Sequence, residues 1–369
     1  MHDRIPASTR TAQVVGRWAE KGRANVGDLG SRMDRRSFLL MLGVGGVGLV
    51  ACAAQPAAAP TGTNASAGSA ASAAPTRFTG QFAVSNYTAL ADWAPLIIAQ
   101  VAGYFAKREL YLNVLQLAQG ADAVRAAATQ AGLGAAATFS GVTAIDAGMT
   151  NLKIVANMVN APGMVFLVRP DSGITSPAQL KGKKIGVQGE TSSATYVGKK
   201  MVLQAGLQIT DAEWVNVGGV GASNTALANK LVDCTFSLPP LSIVEVNAGR
   251  AKVLVDTRKV APNLPQSSLF ATDAILAKSP DVVDRWIGAT NDGMKMIRED
   301  MTTAAQIWSQ FIGVDQAIAL ATLKDQVDLF DTKVTRASID SAVQAAKEMG
   351  LMTSTLTYEQ VVPEKYRVK

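Results

Sequence analysis

The chain has 369 residues, of which 48 % are hydrophobic and 17 % are charged. This composition is too apolar and too weakly charged for a disordered protein, and the length is sufficient for two domains. Most of the formal net charge of +6 lies before Cys52, where eight basic residues outnumber four acidic ones. From Cys52 onward, 27 basic residues stand against 25 acidic residues. No polyanion-binding surface and no nucleic-acid partner are therefore expected.

The first 51 residues are predicted to be a signal segment. Arg35 and Arg36 stand before an uncharged apolar run, 38–51, which ends at Cys52. As a helix this run would span about 21 Å at 1.5 Å per residue, too short for the roughly 30 Å hydrocarbon core of a bilayer. The twin arginine resembles the bacterial twin-arginine export signal, so the run is interpreted as the core of a signal peptide.

The signal is predicted to end in a lipidation site. Residues 49–51 are Leu-Val-Ala and precede Cys52, which resembles a bacterial lipobox whose cysteine is lipidated and becomes the new N-terminus. Residues 52–76 carry no charge and consist almost entirely of Ala, Pro, Gly, Ser and Thr, which predicts a flexible tether. We expect the protein in the periplasm or at the cell surface, anchored through Cys52. Met33 is a candidate start, which would make residues 1–32 a start-site artefact.

Histidine and cysteine usage excludes several kinds of active site. His2 is the only histidine, so the exported chain cannot form a Ser-His-Asp triad, a Cys-His pair or a His-ligated metal site. Cys234 lies in a short strand-like run and is interpreted as a small core residue. The glycine-rich segment 218–221 lacks the lysine of a phosphate-binding loop and is interpreted as a strand-to-helix turn. No catalytic residue, cofactor or metal is therefore predicted.

From Arg77 onward, short apolar runs alternate with helix-length segments, which predicts an open α/β sheet with parallel strands. Strands are expected at 82–84, 113–117, 133–138 and 153–158. Helices are expected at 94–104, 121–130 and 141–148. Pro95 fits the first turn of the first helix, where its missing N–H costs little.

The same alternation repeats in a second block. Strands are expected at 164–169, 184–187, 214–217, 232–236 and 252–255, and helices at 194–205, 223–231 and 242–248. The run 268–272 is typical of a second crossing strand, and 280–347 is mostly helical by its apolar spacing. We predict two Rossmann-like lobes joined by two chain crossings, with residues 77–168 and 268–369 in the first lobe and 169–267 in the second.

Five segments together resemble the solute-binding proteins of ABC importers for nitrate, sulfonate, taurine and thiamine precursors. In order, they are 94–105, 180–187, 204–207, 231–233 and 249–256. The resemblance extends from about residue 78 to about residue 286 and implies a type II periplasmic binding protein-like fold. It also implies capture of a small solute, delivery to an ABC permease with its ATPase, and a monomer. The first lobe departs from the family pattern at Glu109 and at 130–134, where the usual acidic residue is missing.

In such sheets ligands bind beyond the carboxyl ends of the strands, where helix N-termini favour anions. Four loops rich in hydroxyls and amides are therefore expected to line the cleft. The candidate ligand-binding residues are Asn86, Tyr87, Trp93, Ser140, Gly141, Gln188, Glu190, Thr191, Ser192, Ser193 and Ser237.

Several of these residues have a second interpretation. Ser140, Ser192 and Ser193 could cap helices, and for the pair Ser192 and Ser193 we expect one cap and one ligand contact. Tyr87 and Trp93 could form aromatic walls of the cleft or pack beneath the first helix. Glu190 inside the cleft would favour a ligand with an amine or an amidine-like ring, whereas an outward Glu190 would only complement the helix N-terminus.

The favoured function is capture of a small organic anion, such as a sulfonate or a carboxylate, by hinge closure about crossings near Val168 and Ala271. The alternative ligand is a thiamine pyrimidine precursor or another nitrogen heterocycle. The family's enzymes of thiamine-pyrimidine synthesis rely on an active-site histidine, which this exported chain lacks. A further alternative is a sensory partner that serves a membrane receptor.

Overall fold

The computed structural model describes residues 75–189, 192–354 and 356–368. The predicted signal with Arg35 and Arg36, the lipidation site Cys52, nearly all of the tether, Glu190 and Thr191 lie outside these described residues. Within the described ranges, no helix combines the length and the hydropathy needed to span a bilayer.

The first sheet contains five strands, four from the first half of the chain and one that returns much later. They are β1 (Phe78–Ser85), β2 (Leu110–Leu117), β3 (Gly132–Ala137), β4 (Leu152–Val159) and β10 (Ser267–Thr272), in the order β2-β1-β3-β10-β4. β1 is parallel to β2 and β3, whereas β10 is antiparallel to both of its neighbours. The expected parallel direction therefore does not hold for β10, because this strand enters directly from the other lobe without a crossover helix.

The second sheet repeats this plan. Its strands are β5 (Val165–Val168), β6 (Lys184–Val187), β7 (Glu213–Asn216), β8 (Cys234–Ser237) and β9 (Lys252–Asp256), in the order β7-β6-β8-β5-β9. Again the strand that arrives from the other sheet, β5, is antiparallel to its neighbours. The helices that follow three of these strands are α4 (Ser193–Gln204), α5 (Val220–Ala228) and α6 (Leu241–Asn247). The two predicted α/β lobes are confirmed.

Two crossings join the sheets, 160–164 between β4 and β5 and 257–266 between β9 and β10. The predicted boundary after residue 168 lies later than the first crossing, since β5 already belongs to the second sheet. Thr257 links the two crossings, because its buried hydroxyl donates to the carbonyl oxygen of Met164 at 2.7 Å. The crossings therefore lie side by side.

The remaining helices cover the first sheet. Three precede the crossings: α1 (Ala94–Val101), α2 (Gly120–Ala126) and α3 (Thr138–Asp146). The C-terminal helices are α7 (Asp273–Lys278), α8 (Pro280–Glu299), α9 (Met301–Ile312), α10 (Gln316–Gln326), α11 (Arg336–Glu348) and α12 (Tyr358–Val361). α8 packs on α1 and α11 packs on α3, so the C-terminal segment returns to the first lobe as predicted.

Candidate ligand-binding site

A cavity of about 470 Å³ lies between the two sheets. Its walls come from the segments that follow β1, β2, β3, β6, β7 and β8, and from both crossings through Met164 and Gln266. This is the carboxyl edge of both sheets, where open α/β folds bind their ligands. The cavity is large enough for a small organic molecule.

Six of the predicted site residues line this cavity: Asn86, Trp93, Ser140, Gln188, Ser192 and Ser193. They come from three segments that are far apart in the sequence, those after β1, β3 and β6. Trp93 is 1 % exposed, and its Nε1–H donates to the Ser85 carbonyl oxygen at 2.8 Å. It is thus both packed beneath the first helix and part of the cavity wall, so its two interpretations hold together.

Three predicted residues do not line the cavity. Tyr87 is 1 % exposed, and its hydroxyl donates to Gln100 Oε1 at 3.0 Å inside the core of the first lobe. Gly141 lies in α3, where a Cβ atom would overlap with the ring of Phe270. Ser237 is fully buried at the end of β8. Packing accounts for the positions of Tyr87 and Gly141.

The serine pair at the start of α4 divides its roles. Ser192 is the N-cap, and its hydroxyl accepts a hydrogen bond from the Thr195 backbone N–H at 3.2 Å. Ser193 is the first helical residue and faces the cavity as a lining residue. Ser140 is not an N-cap, since it is the third residue of α3.

Helix N-termini surround the cavity. The first residues of α4 and α5 line it, as do Ala137 and Ser140 at the start of α3. The first turn of a helix has backbone N–H groups without an intrahelical partner and carries the positive end of the helix dipole. These three helices, two from the second lobe and one from the first, therefore give the cavity hydrogen-bond donors without any cationic side chain.

One carboxyl group, Asp92, opposes this donor-rich environment. Asp92 is 5 % exposed and is the only charged side chain among the described residues that line the cavity. Burial raises its pKa from the ordinary value of 3.8 to about 6, although the nearby Ser267 hydroxyl opposes the rise. Near pH 6 this group can therefore act either as an acceptor or, when protonated, as a donor.

Sequence reasoning missed Asp92 and most of the apolar wall. The apolar wall is formed by Leu90, Trp93, Met164, Phe236, Leu238 and Leu241. Further polar or small lining residues that were missed are Gln119, Gly120, Gly219 and Gln266. The available signal was the position of Asp92, directly before Trp93 and a helix that starts with Ala-Pro. This position places Asp92 in the segment after β1, at the edge of the sheet.

Among the described residues, little supports covalent chemistry at a cysteine or binding of a metal ion. Cys234 is fully buried in β8, and burial raises the pKa of its thiol, which keeps it protonated. Among the described residues, no group of His, Cys, Asp and Glu is arranged to hold a metal ion.

Comparisons with known proteins connect this fold and cleft to one family. The sequence profile described as NMT1/THI5 like matches residues 91–304. The riboflavin-binding protein RibY of Chloroflexus aurantiacus is 26 % identical over 272 residues, which are 72 % of this chain and 75 % of RibY. A candidate binding protein of Brucella abortus is 25 % identical over 193 residues, 52 % of this chain. The matched part is 59 % of that relative's length.

Solved structures share the fold at lower sequence identity. The periplasmic aliphatic sulphonate binding protein SsuA of Escherichia coli superposes with a TM-score of 0.67 at 18 % identity, over 79 % of this chain and 94 % of SsuA. The desulfurization enzyme DszB superposes with a TM-score of 0.62 at 16 % identity, over 79 % of this chain and 97 % of DszB. The fold thus occurs in both binding proteins and an enzyme.

Proposed function

The chain belongs to the NMT1/THI5-like family, and we propose that it captures a small solute outside the cytoplasmic membrane and delivers it to an ABC permease with its ATPase. The observation that carries the proposal is the cavity between the lobes, with helix N-termini from both sides and an apolar wall. A binding role without covalent chemistry fits this lining, because it has no histidine or cysteine among its described residues.

The favoured solute is a small organic anion of the sulfonate or carboxylate type. Several backbone N–H groups and the positive helix ends can bind an oxyanion in a site that closes away from water. Trp93, Phe236 and Leu238 would cover the carbon skeleton, which a bare inorganic ion would leave without a partner. The name of SsuA, an aliphatic sulphonate binding protein, is consistent with this class.

A nitrogen heterocycle, such as a thiamine pyrimidine precursor, is the second candidate. Asp92 favours it, because a buried carboxylate without a cationic neighbour in the cavity lining is best satisfied by an N–H group of the ligand. RibY, a riboflavin-binding relative, binds a ligand of this broad type. An enzyme of thiamine-pyrimidine synthesis is a weaker candidate, because the chain from Cys52 onward has no histidine.

Capture would proceed by closure of the lobes about the paired crossings. The solute would contact the loops of both lobes, so the closed form would gain contacts that the open form lacks. The observed affinity would then include the free energy of closing as well as the contacts themselves. The protein is proposed to act as a monomer.

Location outside the cytoplasmic membrane rests on the leader sequence. Export through the twin-arginine route would require Arg35 and Arg36, and the anchor would be a lipid on Cys52. The Cys52→Ala variant should lose membrane association and labelling by a fatty-acid probe. Membrane retention of Cys52→Ala equal to that of the wild type would contradict the anchor, and export of a variant with both arginines changed to lysine would contradict the route.

A thermal-shift screen tests the solute class. Alkanesulfonates, aryl carboxylates, nitrate and taurine form the anion arm, and aminopyrimidines and riboflavin form the heterocycle arm. A true solute should raise the Tm in proportion to the logarithm of its concentration, because only the folded state binds it. Gly219→Phe is the matched control, because Gly219 lines the cavity and has open space at its Cβ position.

The two arms separate the two candidates. Stabilisation by organic anions that Gly219→Phe abolishes supports the favoured class. If only heterocycles stabilise the protein and Asp92→Asn abolishes this effect, the second candidate replaces the favoured class. If no compound in either arm shifts the Tm, the proposed role in solute capture is contradicted for both classes.

A further inference from the structure

Asp92 brings a negative charge to the cavity without a cation to balance it. The residue lies in the short helical turn Ala91–Trp93 between β1 and α1, in the first lobe, and it is 5 % exposed. No Lys, Arg or His lines the cavity among the described residues. Burial is the largest cause of the raised pKa of Asp92, and the groups that oppose the rise, the Ser267 hydroxyl and the backbone N–H of Asp92 itself, are neutral. Within the described part of the chain, the Asp92 carboxylate therefore has no counter-ion in the cavity wall.

The Asp92 carboxylate can be reached by a molecule in the cavity. The nearby Ser267 hydroxyl has no hydrogen-bond partner, so it does not occupy the carboxylate. Among the described residues, the Asp92 oxygens also do not belong to the unpaired polar atoms that are sealed from solvent. An oxygen that is neither paired nor sealed must face open space, and for Asp92 that space is the cavity.

The second lobe presents the reverse chemistry to the cavity. α5 begins after the N-cap Gly219, which has no side chain and leaves the first backbone N–H groups of the helix without a cap. Gly219 and the first three residues of α5 line the cavity, and the Cβ position of Gly219 is open space. The first residues of α4, Ser193 and Ala194, lie in the same wall. An oxyanion can therefore approach these helix N-termini closely.

From this arrangement we infer that the captured solute carries two opposite charges: an anionic group bound by the N-termini of α4 and α5, and a protonated amine bound by the Asp92 carboxylate. The inference rests on the proposed capture of a small solute and narrows its class to amino-substituted organic anions. A simple anion would leave Asp92 without a counter-ion and would be repelled by it. A simple amine would leave the helix N-termini without an acceptor.

The doubly charged class also fits closure of the lobes. Asp92 belongs to the first lobe, whereas α4 and α5 belong to the second. A solute that bears both charges therefore links the lobes through its two ends, and it favours the closed form over the open one. A solute with one charge gains this type of contact from one lobe only.

Two sets of three probes test the inference by calorimetry at pH 7.5. Taurine, ethanesulfonate and ethylamine share one carbon skeleton, and 4-(aminomethyl)benzoate, 4-methylbenzoate and benzylamine share another. In each set the first probe carries both charges, the second only the negative charge and the third only the positive charge. In at least one set, the wild type should bind the doubly charged probe about tenfold more tightly, or better, than either of the other two.

Asp92→Asn separates a charge effect from general damage to the site. It should weaken the binding of the doubly charged probe by about tenfold or more, and it should leave the simple anion bound equally or more tightly, because a repulsive charge is removed. Asp328→Asn, at an exposed residue, is the matched control and should change neither affinity. A similar loss for both probes in Asp92→Asn would assign Asp92 a structural role, and an unchanged affinity for the doubly charged probe would exclude contact with its amine. Either result would overturn the inference.

The probes also distinguish this inference from solute capture itself. If the wild type binds the simple anion as tightly as the doubly charged probe in both sets, the inference fails and capture of an organic anion stands. If it binds the simple amine as tightly in both sets, the helix N-termini do not bind the anionic group and the inference fails as well. If no probe of either set binds, capture of an organic anion is contradicted, and the inference with it.

Discussion

The backbone N–H of Ala91 donates to the carbonyl oxygen of Pro239 at 3.2 Å, and this bond joins the loop after β1 to the loop after β8. The two loops belong to different sheets, and both contribute residues to the cavity lining. A second bond between the lobes lies on α4, where the Tyr196 hydroxyl donates to Glu348 Oε2 of α11 at 2.9 Å. These two hydrogen bonds join the lobes directly.

The Tyr196–Glu348 bond should contribute to the closed form. Tyr196→Phe removes the bond with little change in packing, so the unfolding free energy should fall by about 1 kcal/mol, and the affinity for any solute found in the screen by a comparable factor of about fivefold. Tyr366→Phe is the matched control, because the Tyr366 hydroxyl bonds to Asp284 within the first lobe. Distances between labels on the two lobes measure closure directly.

The outcome separates a contact between the lobes from a general loss of stability. Tyr196→Phe should shift the unliganded population toward longer distances between the labels, whereas Tyr366→Phe should not. Identical distance distributions for the two variants would contradict a role of this bond in closure.

The raised pKa of Asp92 makes stability depend on pH. The pKa in the folded state is about 6, against an ordinary value of 3.8, so the fold favours the protonated form. The resulting contribution to stability is fully present below about pH 4 and is lost as the pH rises through 6. Asp92→Asn removes the charge, so it should be more stable than the wild type by about 2–3 kcal/mol at pH 7.5.

The advantage of Asp92→Asn should shrink steadily below pH 6 and vanish near pH 4. Urea unfolding followed between pH 4 and pH 8 measures it. The same substitution at the exposed Asp328 should show no such dependence. A constant difference across this pH range would show that the Asp92 carboxyl is not destabilised by its burial.

The two serines before Thr195 should respond differently to removal of the hydroxyl. Ser192→Ala deletes the N-cap of α4 and should lower the unfolding free energy by about 1 kcal/mol. Ser193→Ala should leave stability within about 0.5 kcal/mol of the wild type, while weakening the binding of anions that the screen identifies. Equal losses of stability in chemical denaturation would show that the roles are not divided in this way.

The sequence predicted the alternation of strands and helices well, because apolar runs of strand length carry that signal locally. It did not predict the direction of β5 and β10, since the direction of a strand depends on which sheet the chain enters. The local sequence likewise did not show which of Tyr87 and Trp93 reaches the cavity. Both follow the same strand, yet only Trp93 reaches the cavity, while Tyr87 packs edge-on against Phe82 and Phe311.

The sequence predicted the site residues that lie in hydroxyl-rich loops after strands. It did not predict the residues that reach the cavity only through contacts between distant parts of the chain. Gln266 illustrates the limit. Nothing in Pro265-Gln266-Ser267 indicates a cavity residue. Its position in the cavity lining follows only from the pairing of the second crossing with the end of β4.

The crossing of α8 over α1 offers a last test, because it holds the helix that follows Asp92 and Trp93 in place. A Cβ atom at Gly293 would overlap with the backbone carbonyl of Pro95, so Gly293→Ala must push the two helices apart. We expect it to lower the unfolding free energy by about 3 kcal/mol. Since α1 is continuous with the segment that carries Asp92 and Trp93, it should also weaken solute binding.

Gly288→Ala is the matched control on the same helix. There a new Cβ would lie 3.1 Å from Nε of the Arg108 side chain, which can move aside, and alanine favours a helix over glycine by up to about 1 kcal/mol. Gly288→Ala should therefore be as stable as the wild type or more stable. Because both substitutions are glycine to alanine within α8, helix propensity cannot account for a difference between them. Equal stability of the two variants in urea unfolding would mean that α1 and α8 do not rely on backbone contact at Gly293.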